Sequence, residues 1–242
     1  MAQEVLALLD LNGSERILDV GCGEGKITAE IASRVPRGSV VGVDPSSDMI
    51  RFAQDHFAHA NLRFEVADAR RLSFANEFDL AVSFNALHWI PDQDAALRSI
   101  GSALVADGET QFRLVTAGAR RSLESVVEET RAAPEWKAYF KNFQDPYLRL
   151  TPDEYVAVAE RNGFRVLRVK TKDHAWDFGS RPAFAGFCAV GLVAWTDRLP
   201  AAERQKFIDD VLDRYQSVAA ACAGEENTFK FYQTDLAMTK SG

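Results

Sequence analysis

The residues that invite chemistry are three glycines at alternating positions, Gly21, Gly23 and Gly25, inside the run ILDVGCGEGKIT at residues 17–28. Glycine accepts positive φ and lets a ligand approach the backbone, and a helix opening directly behind offers free N–H groups. Dinucleotide-binding enzymes use the spacing G-x-G-x-x-G at such a turn. Here the spacing is G-x-G-x-G, and Asp19 precedes it. A carboxylate at that point repels a pyrophosphate and suits a zwitterionic amino acid with its ammonium. Asp44 follows Gly21 by 23 residues, the place where a strand-end carboxylate accepts both hydroxyls of a ribose. Asp68, before Ala69, offers an acceptor to an amino group such as that of adenine. Plainer readings exist: a tight turn for the glycines, a helix cap for Asp44, a turn former for Asp68. Cys22 reads as a small residue beside the ligand rather than a nucleophile.

Strands must deliver these residues to one edge. Apolar runs make RILDV (16–20) a buried strand, followed by the glycine turn and a helix from about Lys26 to Arg34. SVVGVD (39–44), a helix near Ser47 to His59, LRFEV (62–66) and FDLAVSF (78–84) continue the alternation. A helix near Asp92 to Leu104 and ETQFRLV (109–115) complete it. Such alternation implies parallel pairing through right-handed crossovers, with ligands bound at the carboxyl ends of the strands. Further on, Arg120 to Phe143 reads as helical. Thr151 to Glu154 spells a capping box, and that helix stops at Asn162-Gly163. FRVLRVKTKD (164–173) reads as a strand, and an unassigned stretch with Phe178, Phe184, Phe187 and Trp195 follows. A helix from about Ala201 to Ala221 and a strand at residues 228–240 close the chain. The first residues form a short amphipathic helix on Val5, Leu6, Leu8 and Leu9.

The hydrophobic-D-V-G-C-G-x-G run, the V-G-V-D-x-S strand end and the A-D-A turn resemble class I S-adenosylmethionine-dependent methyltransferases. The likeness covers roughly Arg16 to Val115. It implies an α/β, Rossmann-like sheet of about seven strands, mostly parallel with one antiparallel strand near the C-terminus, with helices on both faces and a helical cap. One domain would span residues 1–242, with 1–116 as the cofactor-binding half and 117–242 as cap helices and the last two strands. The resemblance assigns Gly21, Cys22, Gly23 and Gly25, behind Asp19, to the methionine part of S-adenosylmethionine. It assigns Asp44 to ribose, with Pro45, Ser46 and Met49 beside it, and Asp68 and Ala69 to adenine. Phe84 and Asn85, at the end of the fourth strand, complete that cofactor site.

The next segment, LHWI after Asn85, resembles enzymes that methylate carboxylates: trans-aconitate, juvenile hormone acid, fatty acid and plant salicylate-type methyltransferases. In the plant group the tryptophan donates its indole N–H to the substrate carboxylate, a role this likeness carries to Trp89, with a second hydrogen bond from His88. Otherwise Trp89 packs in the core and His88 caps a turn. Methyl transfer needs alignment and exclusion of water, and a carboxylate is ionised at neutral pH without a base. No acid–base pair stands out, although His88 is a candidate base for a phenol or hydroxyl. Trp136, Tyr139, Phe140, Phe143, Phe178, Phe184, Phe187 and Trp195 suggest an apolar lid, hence an apolar acid rather than a polyanion, for which only Arg113 and Arg149 are at hand. Related enzymes carry a longer N-terminal segment over the cofactor. Fifteen residues precede the first strand here, so a missing, shortened or replaced lid is expected.

The net charge of −7 disfavours a nucleic-acid partner, which needs clustered Lys and Arg. Cys22, Cys188 and Cys222 match no metal spacing and form no disulfide framework, so no metal is expected. No apolar run reaches membrane-spanning length, and the N-terminus lacks a signal peptide's basic start. The expectation is a cytoplasmic methyltransferase acting on a small acid. Its alternatives are a carbon, nitrogen or phenol methyltransferase, an RNA or protein methyltransferase disfavoured by the acidic charge, and a non-catalytic S-adenosylmethionine-binding module.

Overall fold

The computed structural model describes residues 2–220 and 222–241. Ala221, the expected end of the last helix, lies outside the described residues. Seven strands form one sheet in the order β3-β2-β1-β4-β5-β7-β6. They are β1 (Arg16–Val20), β2 (Ser39–Asp44), β3 (Leu62–Val66), β4 (Phe78–Phe84), β5 (Leu104–Thr116), β6 (Phe164–Asp177) and β7 (Thr228–Lys240). β1 pairs in parallel with β2 on one side and β4 on the other, Ile17 standing opposite Val40 and Leu80. Chain order therefore reverses beside β1, and a crevice opens at such a switch point. β7 is the antiparallel strand: Ser241 N donates to Gly163 O while Thr234 meets Thr171 further along.

The helices are α1 (Ala2–Leu6), α2 (Lys26–Arg34), α3 (Ser47–His56), α4 (Gln93–Ala103), α5 (Leu123–Ala132), α6 (Pro152–Arg161), α7 (Arg181–Gly191), α8 (Val193–Thr196) and α9 (Ala201–Ala219). Ile17, Leu18 and Val20 of β1 and Val40, Val41 and Val43 of β2 are all buried, because both faces of the sheet are covered. On one face Val5, Leu6, Ile31 and Val35 cover Ile17, Val40 and Val82. On the other, Leu97, Ile100, Tyr155 and Phe164 cover Leu18, Val41, Phe112 and Leu114. Among the described residues no helix is long and apolar enough to cross a membrane.

Two compact units emerge: Met1–Val115 with Leu150–Thr171 and Thr234–Gly242, and Thr116–Arg149 with Lys172–Gln233. In the second unit α5 packs on α9. Trp195 donates from its indole to Glu128 at 2.7 Å and Trp136 to Asp210 at 2.8 Å. Both rings are buried, as are Phe140 and Phe184, so these aromatics build that unit's own core. Arg149 donates to the carbonyls of Tyr147 and Glu124 and pairs with Asp145.

Several expected bounds shift. The helix foreseen from Arg120 to Phe143 reduces to α5, because Ala133 is extended (φ −62, ψ 150) ahead of Pro134. A proline ring disfavours the helical conformation in the residue before it. The unassigned stretch contains α7 and α8. Ser180 caps α7, accepting from Ala183 N, with Pro182 in the first turn. α3 ends at His56, three residues early, where Phe57 turns extended. β5 begins at Leu104, and Asp107 adopts φ 57 within it.

One polar pair is enclosed in the sheet. Arg113 of β5 and Asp235 of β7 form a two-pronged contact, Nε to Oδ1 at 2.6 Å and Nη2 to Oδ2 at 2.9 Å, with side chains only 5% and 7% exposed. The Arg113 guanidinium is thus committed to the fold rather than to an anionic ligand. Removing one partner strands the other charge in a dry interior. Asp235→Ala is expected to cost about 3–5 kcal/mol of unfolding free energy in a urea titration, and Arg113→Met with Asp235→Leu to recover most of it.

Candidate active site

The chain leaves β1 at Val20 and turns through Gly21, Gly23 and Gly25, whose φ values are 77, 54 and 82. The amides of Gly21 and Cys22 both donate to Val43 O, at 2.8 and 3.0 Å, which ties the loop to the end of β2. A Cβ on Gly21 would sit 2.2 Å from the Ala86 Cβ, and one on Gly25 would sit 2.7 Å from both the Ala53 Cβ and the Phe64 ring. At Gly23 the same direction is open for 4 Å. Two glycines are required by close packing, and the middle one leaves room.

The three carboxylates occupy different settings. Asp19 is buried beneath the loop and accepts from Thr28 Oγ1 at 2.7 Å. Burial pushes its carboxyl up to about 7, and the nearby Asp44 charge pushes the same way against the Thr28 hydrogen bond. Asp44 accepts backbone N–H groups on both oxygens, from Gly23 at 3.1 Å and from Ser46 at 2.9 Å. It does not cap α3: Ser46 does, accepting from Met49 N. Asp68 accepts from Arg70 N and pairs with the Arg70 guanidinium, Nη2 to Oδ2 at 2.7 Å. That arginine holds the Asp68 carboxyl down to about 2. The Cys22 thiol is raised by burial and by the charges of Asp19 and Asp44, which removes the thiolate a nucleophile needs.

At the end of β4, Phe84 packs against the core around Ile17 and Val82. Asn85 follows in the left-handed region at φ 59, its amide donating to Arg113 O at 2.8 Å. Leu87–Trp89 then forms one 3-10 turn. His88 points inward and is 3% exposed. Its Nδ1 accepts from Val115 N at 3.2 Å, so the ring proton sits on Nε2. Burial drives this imidazole down to about 3. Trp89 comes next in the turn, its ring centroid 5.9 Å from that of His88, with 37% of its surface exposed.

These strand ends enclose a cavity of about 450 Å³. Of the residues expected from the sequence, Gly21, Asp44, Pro45, Asp68, Ala69, Asn85 and Trp89 line it. Asp19, Cys22, Gly23 and Gly25 lie in or under the loop without lining it; Ser46 caps α3, Met49 is exposed on that helix, and Phe84 and His88 face the interior. Ala86, Leu87, Ile90 and Pro91, from the acceptor segment that the sequence marked, also line it, and Arg70 is the lining side chain that the sequence did not single out. Arg70 was signalled only by its place two residues after Asp68. The cavity has the size of a small-molecule site. An open backbone at Gly23, an acceptor carboxylate at Asp44 and a buried Asn85 Oδ1 with no hydrogen-bond partner fit a ligand rich in donors, as S-adenosylmethionine is.

Residues 17–108 match a family model described as a methyltransferase domain. Trans-aconitate 2-methyltransferase of Deinococcus radiodurans is 36% identical over 212 residues, covering 86% of this chain and 81% of that protein. Juvenile hormone acid O-methyltransferase of Bombyx mori is 28% identical over 65% of this chain, which spans only 59% of that protein. A methyltransferase candidate of known structure from Bacillus halodurans superimposes with a TM-score of 0.71 at 16% identity, covering 100% of this chain and 99% of that one. That likeness carries the fold, and the match to the Deinococcus protein carries the family. The glycine loop, the strand-end carboxylates and this similarity along most of the sequence agree: the chain belongs to the class I S-adenosylmethionine-dependent methyltransferases.

Proposed function

We propose that the enzyme methylates the carboxylate of a largely apolar small acid, with Trp89 as the donor that holds the acceptor. The observation that carries this reading is the division at the 3-10 turn: Trp89 lines the cavity while His88 is turned inward and kept neutral. When bound, S-adenosylmethionine supplies an electrophilic methyl on a sulfonium, which a carboxylate oxygen takes with its own lone pair, so no proton has to move. Asp44 holds the ribose and Asp68 the adenine, while Leu87, Ile90 and Pro91 keep water from the acceptor. His88 positions Trp89 by fastening the turn to Val115. Among the described residues lining the cavity the one cation is Arg70, already paired with Asp68. That favours a single carboxylate over a polyanion. Both relatives above are named for acids, in support of a carboxylate acceptor, while the choice of an apolar one rests on the cavity lining.

The direct test is methyl transfer to acids of graded size and polarity, with product mass and base-lability recorded. A base-labile ester of an apolar acid is the expected product, and a base-stable product would overturn the acceptor assignment. Asp44→Ala is expected to weaken S-adenosylhomocysteine binding at least about tenfold by calorimetry, the worth of hydrogen bonds to a charged group. Unchanged affinity in a folded variant would reduce Asp44 to a loop-ordering role.

Trp89→Phe keeps most of the ring and deletes the N–H. Catalytic efficiency toward the acid should drop by about 1.5–3 kcal/mol, with S-adenosylhomocysteine affinity unchanged. Packing alone would instead lower the melting temperature and spare the kinetics. His88 titrates far below neutrality, so any inflection in kcat between about pH 6 and pH 8 should survive His88→Asn, whereas a histidine base would lose it.

A further inference from the structure

We propose that the outer edge of β6 is a docking strand for another protein, which lays an extended segment of alternating apolar and acidic residues beside it. β6 is the last strand of the sheet, paired with β7 on one side only. Such an edge presents a row of N–H and C=O groups to whatever comes alongside. Residues 164–171 carry this edge within the first compact unit. Phe164 is buried and Val166 packs against the core, whereas every residue from Leu167 to Thr171 is exposed. Between Glu160 and Asp173 the sequence holds five cations, Arg161, Arg165, Arg168, Lys170 and Lys172, and no acid, in a chain of net charge −7. The acids that flank this stretch in the fold are taken, Asp94 by Arg161 and Asp173 by Arg120. Arg168 donates to the neutral Gln111 amide oxygen at 3.1 Å, so its charge, like that of Lys170, is left for a partner.

Charges on an edge strand also serve to repel other strands. A mere guard has no use for apolar surface, yet Leu167 and Val169 stand 46% and 39% exposed between the cations. Side chains alternate along a strand, so Leu167 and Val169 share one face while Arg168 and Lys170 share the other. A strand added here meets an apolar pair on one face and a cationic pair on the other. Same-face neighbours across a ladder are the contacts that stabilise a sheet. Apolar side chains opposite Leu167 and Val169 with carboxylates opposite Arg168 and Lys170 complete both faces, and the ladder supplies the rest of the affinity. A second copy of β6 would bring like cations together. A polynucleotide would meet the cations but leave the row of backbone groups unpaired.

The test is fluorescence anisotropy of the whole chain with a labelled short peptide of alternating valine and glutamate. A control peptide of the same composition carries its glutamates in one block. The alternating peptide is expected to bind at least about fivefold more tightly than the control, and more weakly as salt is raised. Arg168→Glu with Lys170→Glu should weaken it at least about tenfold. S-adenosylhomocysteine affinity should stay within about twofold in that variant, as a sign that it has folded, because β6 does not line the cavity. Lys170→Glu alone, expected to weaken peptide binding about threefold, serves where the double variant fails to fold. On saturation with peptide, alternate backbone amides within residues 164–171 should exchange with deuterium at least about tenfold more slowly, as a ladder requires and surface adhesion does not. Absence of peptide binding, equal binding of the block control, unprotected β6 amides, or tighter binding of a uridine oligonucleotide would each overturn the assignment. So would concentration-dependent protection of the same amides without peptide, which marks a second copy as the occupant.

Discussion

Everything at the ligand-binding edge depends on how closely two backbone segments approach where β1 and β4 end. The Ala86 Cβ occupies the space that a Cβ on Gly21 would need. Only glycine at one position and a small residue at the other let the loop after β1 lie against the turn after β4. From that contact the rest follows. The Gly21 and Cys22 amides reach Val43 O, the Gly23 amide reaches Asp44, and the chain beyond Ala86 enters the turn that places Trp89 on the cavity and His88 behind it. A bulkier residue at Gly21 would displace all three strand ends together, because interiors this dense shift as units.

Electrostatics at that edge are arranged for a cationic ligand. Asp19 lies close enough to sense the Asp44 charge, and Asp44 accepts peptide N–H groups on both oxygens. Asp68 is paired with Arg70 at 2.7 Å, and Arg71 approaches it at 3.9 Å. The buried Asp19 carboxyl, raised to about 7, is poised between its two forms near neutrality. A dinucleotide pyrophosphate would meet the opposite field, which is the physical content of an acidic residue ahead of the glycine loop.

Much of this was legible in the sequence, and the limits have causes. β1, β2, β3, β4 and β7 fall on the residues expected, because apolar and β-branched residues cluster in each strand and polar or turn residues flank it. The capping box at Thr151 marked α6 with its partner Glu154 in place. α7 was overlooked because Phe184, Ala185 and Cys188 are buried amid apolar neighbours with Gly186 between them, which blurs any 3.6-residue stripe. Ser180 and Pro182 were the only local signs. At the site, motif spacing marked Asp44 and Asp68, and the family resemblance Asn85, but not their hydrogen bonds. That Arg70 clamps Asp68, or that Arg113 is consumed by Asp235 from 122 residues away, is a consequence of pairing across the sheet. No local pattern carries it.

The fate of the polar groups also argues about the chemistry. A methyltransferase acting on a hydroxyl needs a base near neutrality and within reach of the acceptor. His88 was the one residue near the acceptor segment that the sequence offered for that role, and burial has taken its basicity away while the Val115 amide has taken its Nδ1 lone pair. An acceptor that arrives already ionised has no use for a base and does need a donor to hold its charge. Trp89, indole outward on a turn that His88 fastens from behind, suits the second need and not the first. The inward histidine and the outward tryptophan are therefore one arrangement. With the proposed carboxylate acceptor, such a turn would forgo an acid–base group in favour of a positioned hydrogen-bond donor, the exchange expected where alignment rather than proton transfer limits a reaction.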